Sequence, residues 1–242
     1  MIKMIAAVSR RARLTHAECV AYHQQVHGAI AREQPVTLRR YVQNHVFDAA
    51  FGTREDGANH QVAARDSVTE LYWDDFPAMG ATFAHPYTQQ KVGPDGPNFG
   101  DITTTANLVA QEIELPVPHS GLGGAKVMHF LRGVPGLALD VFTERWAAAH
   151  QVALGEAPAA ASAMRRAVQN RQVPEGNGLL KYFGSSEAPF EGVGCLWFDD
   201  ASTIGAFRAY EAALLRFNAQ AHQAFYVPAK SFFVYAREVL IL

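Results

Sequence analysis

The sequence lacks the features that mark several classes of protein. Of its 242 residues only two are cysteine, Cys19 and Cys195, and neither stands in a Cys-x-x-Cys pair. Two separated thiols form no disulfide framework, which favours a reducing compartment. The apolar stretch at residues 1–9 is too short for a secretory signal, and no segment reaches the roughly 18 apolar residues of a membrane helix. We therefore predict a soluble cytoplasmic protein that makes no contact with membranes.

An excess of charge of one sign is also missing. The net charge is −2 and the pI is about 6.5, so nothing recommends nucleic acid or an anionic membrane as a partner. Glycine-rich phosphate loops, the Gly-x-Ser-x-Gly motif and kinase motifs are absent. With 49 % hydrophobic and 18 % charged residues, the composition is typical of an ordinary globular protein.

What the sequence does contain is an internal repeat. Residues 14–27 and 137–150 share one frame, in which His23 is matched by Trp146 and His27 by His150. The offset is 150 − 27 = 123 residues, about half of the chain. Three later landmarks recur in the same order: Val42-Gln43-Asn44 with Val168-Gln169-Asn170, Leu71-Tyr72-Trp73-Asp74-Asp75 with Leu196-Trp197-Phe198-Asp199-Asp200, and Ala110-Gln111-Glu112 with Ala236-Arg237-Glu238. The order indicates one fold written twice.

Each half predicts the order strand, helix, strand, strand, helix, strand. Thr15 and Glu18 form a capping box that starts the first helix, and the 3.6-residue period puts Cys19, His23, Val26 and Ile30 on its buried face. The other predicted segments of the first half are strands at 2–9, 40–47, 67–73 and 103–115, a polar loop at 52–65, a helix after Asp74-Asp75, and a rigid loop at 93–100. In the second half we predict strands at 125–132, 164–173, 193–198 and 226–242, and helices at 137–153 and from residues 199–202 to 217.

The fold class that follows is α+β, built from two ferredoxin-like βαββαβ units. We place the units at residues 1–116 and 125–242, with a linker at 117–124 that is rich in proline and glycine. A four-stranded sheet with helices on one face leaves its other face bare. Two fused units can cover each other as a barrel within one chain, which a homodimer of single units would otherwise do by symmetry.

These motifs resemble a known family. The Leu-Thr-x-x-Glu start of the first helix, Tyr-x-Gln-Asn on the second strand and the apolar-Trp-Asp-Asp sequence before the second helix resemble EthD-like proteins of the dimeric α+β barrel superfamily. Both halves show the resemblance, which therefore extends over nearly the whole chain and implies a tandem duplication. The superfamily includes monooxygenases, muconolactone-type isomerases, polyketide cyclases, decarboxylases and haem enzymes, so the fold does not fix the reaction.

The resemblance also implies where the site lies. The first-helix histidine of the family falls on His27 and His150, and in relatives it reaches the ligand pocket. The family often has an aromatic residue four positions earlier, which the second half keeps as Trp146. The first half has His23 there, and with His45 and His85 it gathers more histidine, so we expect the working pocket in the first half. We predict His27, His23, Tyr41 and His85 as catalytic residues, with substrate bound by Asn44, His45, Trp73, Phe83, His150 and Asn170.

Each of these assignments has a structural alternative. His23 and His27 have the i, i+4 spacing of metal ligands, but no third ligand is apparent, and we predict no metal. His27 as a general acid/base competes with a histidine bonded to a loop carbonyl. Asn44 and Asn170 could polarise a carbonyl or simply bond the backbone. Trp73 and Phe83 could be core residues, and His85 could cap its helix.

The function predicted from these residues is cofactor-independent acid/base chemistry on a small, mostly apolar, oxygenated ring or polyketide-like compound. Isomerisation, dehydration, decarboxylation and cyclisation all fit. The alternatives are a non-catalytic ligand-binding or accessory protein of an oxygenase pathway and a haem-binding member of the superfamily. The expected partner is a small hydrophobic molecule, and a homodimer of the two-unit chain is left open.

Overall fold

Eight antiparallel strands close into one barrel. The computed structural model describes residues 1–51, 65–184, 188–200 and 203–242. The strands are β1 (Ile2–Arg10), β2 (Arg40–Phe51), β3 (Ser67–Trp73), β4 (Gly100–Leu115), β5 (Ala125–Leu131), β6 (Met164–Gln172), β7 (Gly192–Phe198) and β8 (Phe232–Leu240). We refer to β1–β4 with their helices as the first unit and to β5–β8 with theirs as the second unit.

The barrel consists of two ferredoxin-like sheets joined at their edges. Around the barrel the order is β1-β3-β2-β8-β5-β7-β6-β4, so each unit has its strands in the order fourth, first, third, second. The edge strand β2 pairs with β8, and β4 pairs with β6. Every edge of one unit is therefore satisfied by the backbone of the other, which removes the unpaired strand edges of an open sheet.

Helices cover the outside of the barrel. They are α1 (His16–Tyr22), α2 (Gly28–Glu33), α3 (Phe76–Ala84), α4 (Gly93–Asp95), α5 (Leu139–Glu156), α6 (Pro158–Ala163) and α7 (Thr203–Asn218). The predicted capping box starts α1, with the Thr15 side chain accepting from the Glu18 amide and Glu18 bonded to the Thr15 amide. Asp75 caps α3 by accepting from the Ala78 amide. In the described part of the chain, no helix has the length and apolar character of a membrane span.

Strand alternation divides the barrel into an inner and an outer core. On β1, Ile5 and Ala7 belong to the inner cluster, whereas Met4 and Ala6 pack outward with α3 residues and Val8 packs outward against Cys19 of α1. The outer face of the second unit is a large cluster that includes Phe142 and Trp146 of α5.

A buried ionic cluster joins the two units inside the barrel. Glu70 on β3 accepts from Lys3 at 2.6 Å and from Lys126 of the second unit at 2.5 Å. Lys3 also pairs with Glu112, and Lys126 with Glu238. Burial alone would raise the pKa of Glu70, but the two ammonium groups hold it well below its usual value. The carboxylate is thus ionised and ties both units to one point.

The element boundaries mostly follow the sequence. Strand β3 occupies residues 67–73 as predicted. The last strand is shorter than predicted, because Pro228 begins a 3₁₀ turn before β8. The segment predicted as a rigid loop at 93–100 is instead helical over α4 and the 3₁₀ turn Gly96–Asn98. The predicted linker lies between the end of β4 and the start of β5. The predicted loop at 52–65, apart from Arg65, and positions 201–202 of the predicted helix start lie outside the described residues.

Candidate active site

The first helix contains a π-helical turn that sets the direction of two histidines. Residues His23–His27 form this turn between α1 and α2. Such turns often mark functional sites. Because the turn takes in an extra residue, His27 faces inward and Val26 is 40 % exposed, so the predicted placement of Val26 on the buried face is wrong. The counterpart helix α5 is regular throughout.

A cavity of about 460 Å³ lies between this helix and the outer face of the first unit's sheet. Its size is within the range of small-molecule sites. Most of its lining is apolar, and no Asp, Glu, Lys or Arg occurs among the described residues that line it. The polar residues of the lining include His23, His27, Tyr41 and Thr69.

His27 is held by a carboxylate at one ring nitrogen and is open at the other. Its Nδ1 lies 2.9 Å from Asp95 Oδ2. Since an ionised carboxylate only accepts, Nδ1 carries the hydrogen and Nε2 has the free lone pair. The described residues give Nε2 no hydrogen-bond partner. Asp95 is itself fixed, because Tyr22 and Asn98 both donate to its Oδ1.

His23 lies beside it in a chain of buried hydrogen bonds. The Gln43 amide donates to the Tyr41 hydroxyl at 2.8 Å, so Tyr41 donates its own hydrogen to His23 Nε2 at 2.9 Å. His23 Nδ1 then donates to the Ser67 hydroxyl at 3.0 Å. The His23 ring also stacks on Phe99, with centroids 4.5 Å apart. The chain fixes one tautomer of His23.

Burial keeps both histidines neutral. It lowers the pKa of His23 well below the usual value, with further lowering from His27 and His45. Burial also lowers the pKa of His27, although the bond to Asp95 opposes this. Burial alone would raise the pKa of the Asp95 carboxyl, but its hydrogen bonds with Asn98, Tyr22 and His27 hold that pKa below its usual value. A neutral imidazole whose Nε2 opens on an apolar cavity has the form of a general base.

The other predicted residues of the first half divide into two groups. Trp73 and Phe83 line the cavity, whereas His85 does not; its Nε2 lies 3.5 Å from the side-chain nitrogen of Gln34. His45 bonds Gln43 and is not part of the lining. Asn44 points into the barrel, where it donates to Glu70 and to the Val68 carbonyl. The structure therefore does not bring His85, His45 and Asn44 to the cavity.

The corresponding space in the second unit is filled. A hollow of about 10 Å³ remains beside His150 and Trp146. Trp146 occupies the place of His23 and lies so close to Gly192 that a Cβ there would come within 2.5 Å of the ring. His150 Nδ1 is bonded to the Tyr210 hydroxyl at 2.8 Å. Asn170 donates to the Val193 carbonyl inside the barrel, as Asn44 does to that of Val68. The second-half residues predicted to bind substrate thus have structural partners.

Three residues of the site were missed by sequence reasoning. Asp95 stands in the Gly-Pro segment that was predicted to be a rigid loop. Thr69, with its hydroxyl 3.4 Å from His23 Nε2, stands on a strand whose apolar neighbours dominated the pattern. Tyr182 comes from the second half and lines the cavity of the first. Among the described residues no group of three or more His, Cys, Asp or Glu could hold a metal ion; that the i, i+4 histidines bind no metal stays a prediction.

Comparisons with known proteins agree with this architecture. Residues 11–103 match the family model of the EthD domain, whereas no curated protein matches the sequence. Among solved structures, an anthrone oxidase-like protein is similar with a TM-score of 0.54 at 12 % identity, covering 98 % of this chain and 91 % of its own. A candidate chlorite dismutase gives 0.52 at 10 % identity, with 99 % and 96 % covered. A candidate monooxygenase from Lactobacillus acidophilus NCFM gives 0.50 at 8 % identity, with 99 % and 94 % covered.

At these identities the solved structures establish the fold alone. The matching family model covers the first helix and the second and third strands, which supply part of the cavity lining, and Asp95, which bonds His27. Residues 11–103 are thus similar to the EthD domain, and the chain as a whole has the dimeric α+β barrel fold, with both ferredoxin-like units of the barrel in one chain.

Proposed function

We propose that the chain is a cofactor-independent EthD-type enzyme that moves a proton on a small, mostly apolar, oxygenated ring or polyketide-like compound, with His27 as the acid/base. The observation that carries the proposal is the state of His27: Nδ1 is fixed by Asp95 at 2.9 Å and Nε2 opens on the cavity. A protein that only binds a ligand has no need of an oriented, uncommitted base in a dry cavity.

The proposed step begins at an acidic carbon next to a carbonyl group. His27 Nε2 takes the proton, and the electron pair of the broken C–H bond moves into the ring as an enolate. The imidazolium that forms shares its Nδ1 hydrogen with the Asp95 carboxylate, which stabilises the new positive charge. Return of the proton to another carbon completes an isomerisation. In a substrate with a β-hydroxyl group, the C–O bond of the enolate breaks instead, and the hydroxyl takes the proton from the His27 imidazolium and leaves as water, which gives a dehydration.

The developing oxygen charge needs a hydrogen-bond donor. Tyr41 and Thr69 are the hydroxyl groups nearest to His23 in the cavity wall, and burial raises the pKa of Tyr41. The Tyr41 hydrogen is already donated to His23 Nε2, whereas the Thr69 hydroxyl carries a hydrogen that it can donate to the ligand. We assign Thr69 to the substrate oxygen, and the Tyr41–His23 bond holds the His23 ring beside it. His85 has no role in this proposal, because it does not line the cavity.

Haem is the cofactor to consider, because the superfamily that the sequence resembles includes haem enzymes. His27 Nε2 could in principle ligate iron, but haem carries two carboxylates that need cationic or hydrogen-bonding partners. No Lys or Arg occurs among the described residues of the lining, so the cavity does not fit haem, and no step is routed through it. Absorption of the purified protein near 400 nm would test this directly. Cytoplasmic location and a homodimer stay predictions from the sequence.

Exchange of a carbon-bound proton in D₂O tests the proposed function. With 2-tetralone, an uncharged ring ketone with acidic C–H groups, we expect the protein to speed deuterium incorporation, followed by NMR. His27→Gln should lower that rate about 100-fold or more, since general base catalysis contributes typically 10²–10⁴-fold. His119→Gln, on an exposed linker residue, is the matched control. No exchange by the wild type, or equal exchange by His27→Gln, would overturn the proposal.

Consumption of dioxygen can be measured in the same assay. One structural neighbour is named an anthrone oxidase-like protein and another a candidate monooxygenase; those names describe those proteins. An enolate is also a species that dioxygen can attack, so an oxygen electrode run in parallel separates oxygenation from simple proton transfer. In either case the first step requires His27.

A further inference from the structure

The far wall of the cavity is an aromatic surface. Trp73 and Phe83 meet edge to face, with centroids 5.5 Å apart, and Phe83 stacks on Tyr182 at 5.2 Å and 15°. All three side chains line the cavity. Flat faces of this kind favour offset stacking with a flat ring.

The second unit supplies part of that surface. Tyr182 belongs to the 3₁₀ segment Pro174–Phe183, which follows β6. The segment is packed tightly on the first unit: a Cβ at Gly176 would come within 2.6 Å of Phe76 and 2.7 Å of Val109. Leu180 is buried against Met4 and Trp73, and the Tyr182 hydroxyl donates to the Thr88 carbonyl at 3.3 Å. The position of Tyr182 is therefore built into the fold.

Four polar residues of the lining form a second, separate cluster: His23, His27, Tyr41 and Thr69. Thr82 and Thr88 instead bond Trp73 and Tyr182 at the aromatic wall. His23 bonds Tyr41, approaches Thr69 within 3.4 Å and has its ring centroid 5.7 Å from that of His27. Among the described residues, no hydrogen bond or ring contact joins any of these four residues to Trp73, Phe83 or Tyr182. A ligand that fills the cavity thus meets the Thr69 hydroxyl and the His27 base at one edge and ring faces at the other.

No formally charged side chain occurs among the described residues of the two clusters. The carboxylate that bonds His27, Asp95, does not line the cavity and already accepts from three groups. A carboxylate or phosphate on the ligand would be moved from water into this lining with no cation of the described residues to pair with it, which is costly. An ammonium group would meet no carboxylate of the described lining.

We propose that the cavity takes an uncharged, flat, fused-ring ketone or phenol, with its rings on the Phe83–Tyr182 stack and its oxygen at the His23–Tyr41–Thr69 cluster. Tyr182, carried by the second unit, is the specificity-determining residue for the rings. This inference rests on the proposed function for the identity of the site, but it concerns binding and does not depend on turnover.

A pair of isosteric probes tests the charge requirement. 2-Acetylnaphthalene is an uncharged ketone, and 2-naphthoate has nearly the same shape with one negative charge. We expect 2-acetylnaphthalene to bind at pH 8 with a dissociation constant at least 100-fold lower than that of 2-naphthoate, measured by calorimetry and by quenching of tryptophan fluorescence. Equal or tighter binding of 2-naphthoate, or binding of neither probe, would overturn the proposal.

Variants of Tyr182 test the ring contact. Tyr182→Phe keeps the stack on Phe83 and should bind 2-acetylnaphthalene within about threefold of wild type. Tyr182→Ala removes the ring and should weaken binding at least tenfold; because Tyr182 is 38 % exposed, the fold tolerates the change. Tyr87→Ala is the control, since Tyr87 bonds Ile30 and Glu33 outside the cavity. Unchanged binding by Tyr182→Ala would contradict the role of Tyr182.

The two proposals fail in different ways. If 2-acetylnaphthalene binds and Tyr182→Ala loses it while His27→Gln keeps full deuterium exchange, the ligand class stands and the acid/base role falls. If exchange depends on His27 but 2-naphthoate binds as well as the ketone, the acid/base role stands and the ligand class falls.

Discussion

The two units of the barrel share a topology and differ at one set of contacts. Leu71 matches Leu196, an offset of 196 − 71 = 125, so Ser67 and Thr69 on β3 match Gly192 and Gly194 on β7. In the first unit both side chains approach His23. In the second unit both are absent, and the indole of Trp146 packs into the space they leave. Three coordinated differences turn a cavity into solid core.

His27 and His150, one helical turn after His23 and Trp146, also differ in their surroundings. His27 has a carboxylate at Nδ1 and an open Nε2, whereas His150 is bonded to a neutral phenol and is 1 % exposed. Closure of the barrel requires the strand edges of both units, whereas the ligand cavity lies in the first unit alone among the described residues. The duplication therefore lets one unit keep a polar, partly hollow site while the other supplies packing, including the segment that carries Tyr182.

The largest expected effect lies at the ionic cluster, where Glu70 matches Cys195. Glu70→Gln leaves two buried lysines without their shared carboxylate, and we expect the free energy of unfolding to fall by about 3 kcal/mol or more. Cys195→Ser keeps an acceptor for Asn170 and should change the free energy of unfolding by about 1 kcal/mol or less. Urea unfolding measures both variants. Equal losses would show that Glu70 does not join the units.

The next effect concerns the partners of the two histidines. Asp95→Asn removes the carboxylate that fixes the His27 tautomer, and we expect the exchange rate with 2-tetralone to fall about 100-fold, less than the roughly 10⁴-fold seen for the same change in a serine protease triad. Tyr210→Phe, which removes the partner of His150, should leave the rate within about threefold of wild type. Rates are compared on variants that are fully folded by circular dichroism. A Tyr210→Phe variant that lost as much activity as Asp95→Asn would break the comparison.

A smaller effect tests the filled core of the second unit. Gly192→Ala puts a methyl group into the Trp146 ring and should cost about 2 kcal/mol of unfolding free energy, as overpacking typically does. The same change in a Trp146→His background should cost much less, because the clash is gone. A double-mutant cycle measures the coupling. No coupling would mean that Gly192 is not what admits the indole.

The smallest effect is a pH dependence of stability. Burial lowers the pKa of His129 to about 3 and of His150 to about 4. The unfolded chain takes up these protons near pH 6.5 and the folded chain does not, so their contribution is complete above pH 6.5 and is lost as the pH falls toward 4. Between pH 6.5 and 5.5 we expect His150→Gln to remove about 1 kcal/mol of the decline in unfolding free energy. An unchanged decline would show that His150 is protonated in the folded protein.

Much of the fold could be predicted because the patterns that encode it are local and occur twice. Thr15 and Glu18 fix a helix start, Asp75 fixes another, and the apolar run of β3 is bounded by acidic residues. The joining of the sheets at β2–β8 and β4–β6 follows from edge satisfaction once the repeat is recognised. The last strand was predicted too long because Tyr226 forms only an isolated β-bridge with Gly133, and the turn from Pro228 separates it from β8.

The site could be predicted only in part, because its geometry depends on contacts between distant segments. Three of the predicted catalytic residues, His23, His27 and Tyr41, line the cavity; their catalytic role stays a prediction. Asp95 was missed because helical turns, which the Gly-Pro spacing disfavours, carry it to His27. Val26 was misplaced because a π-helical turn changes the period within one helix. The pairing of Ser67 and Thr69 with Gly192 and Gly194 was available in the repeat and would have indicated the open unit. Nothing local to residue 182 indicates that it closes a cavity in the other unit.

Counting ligand sites per chain tests the central claim most directly. Calorimetry with 2-acetylnaphthalene should give one equivalent for the wild type, and none for Ala31→Phe, which fills the first unit's cavity from its lining. Two equivalents, no binding to the wild type, or an equivalent that survives Ala31→Phe would contradict a single open site in the first unit.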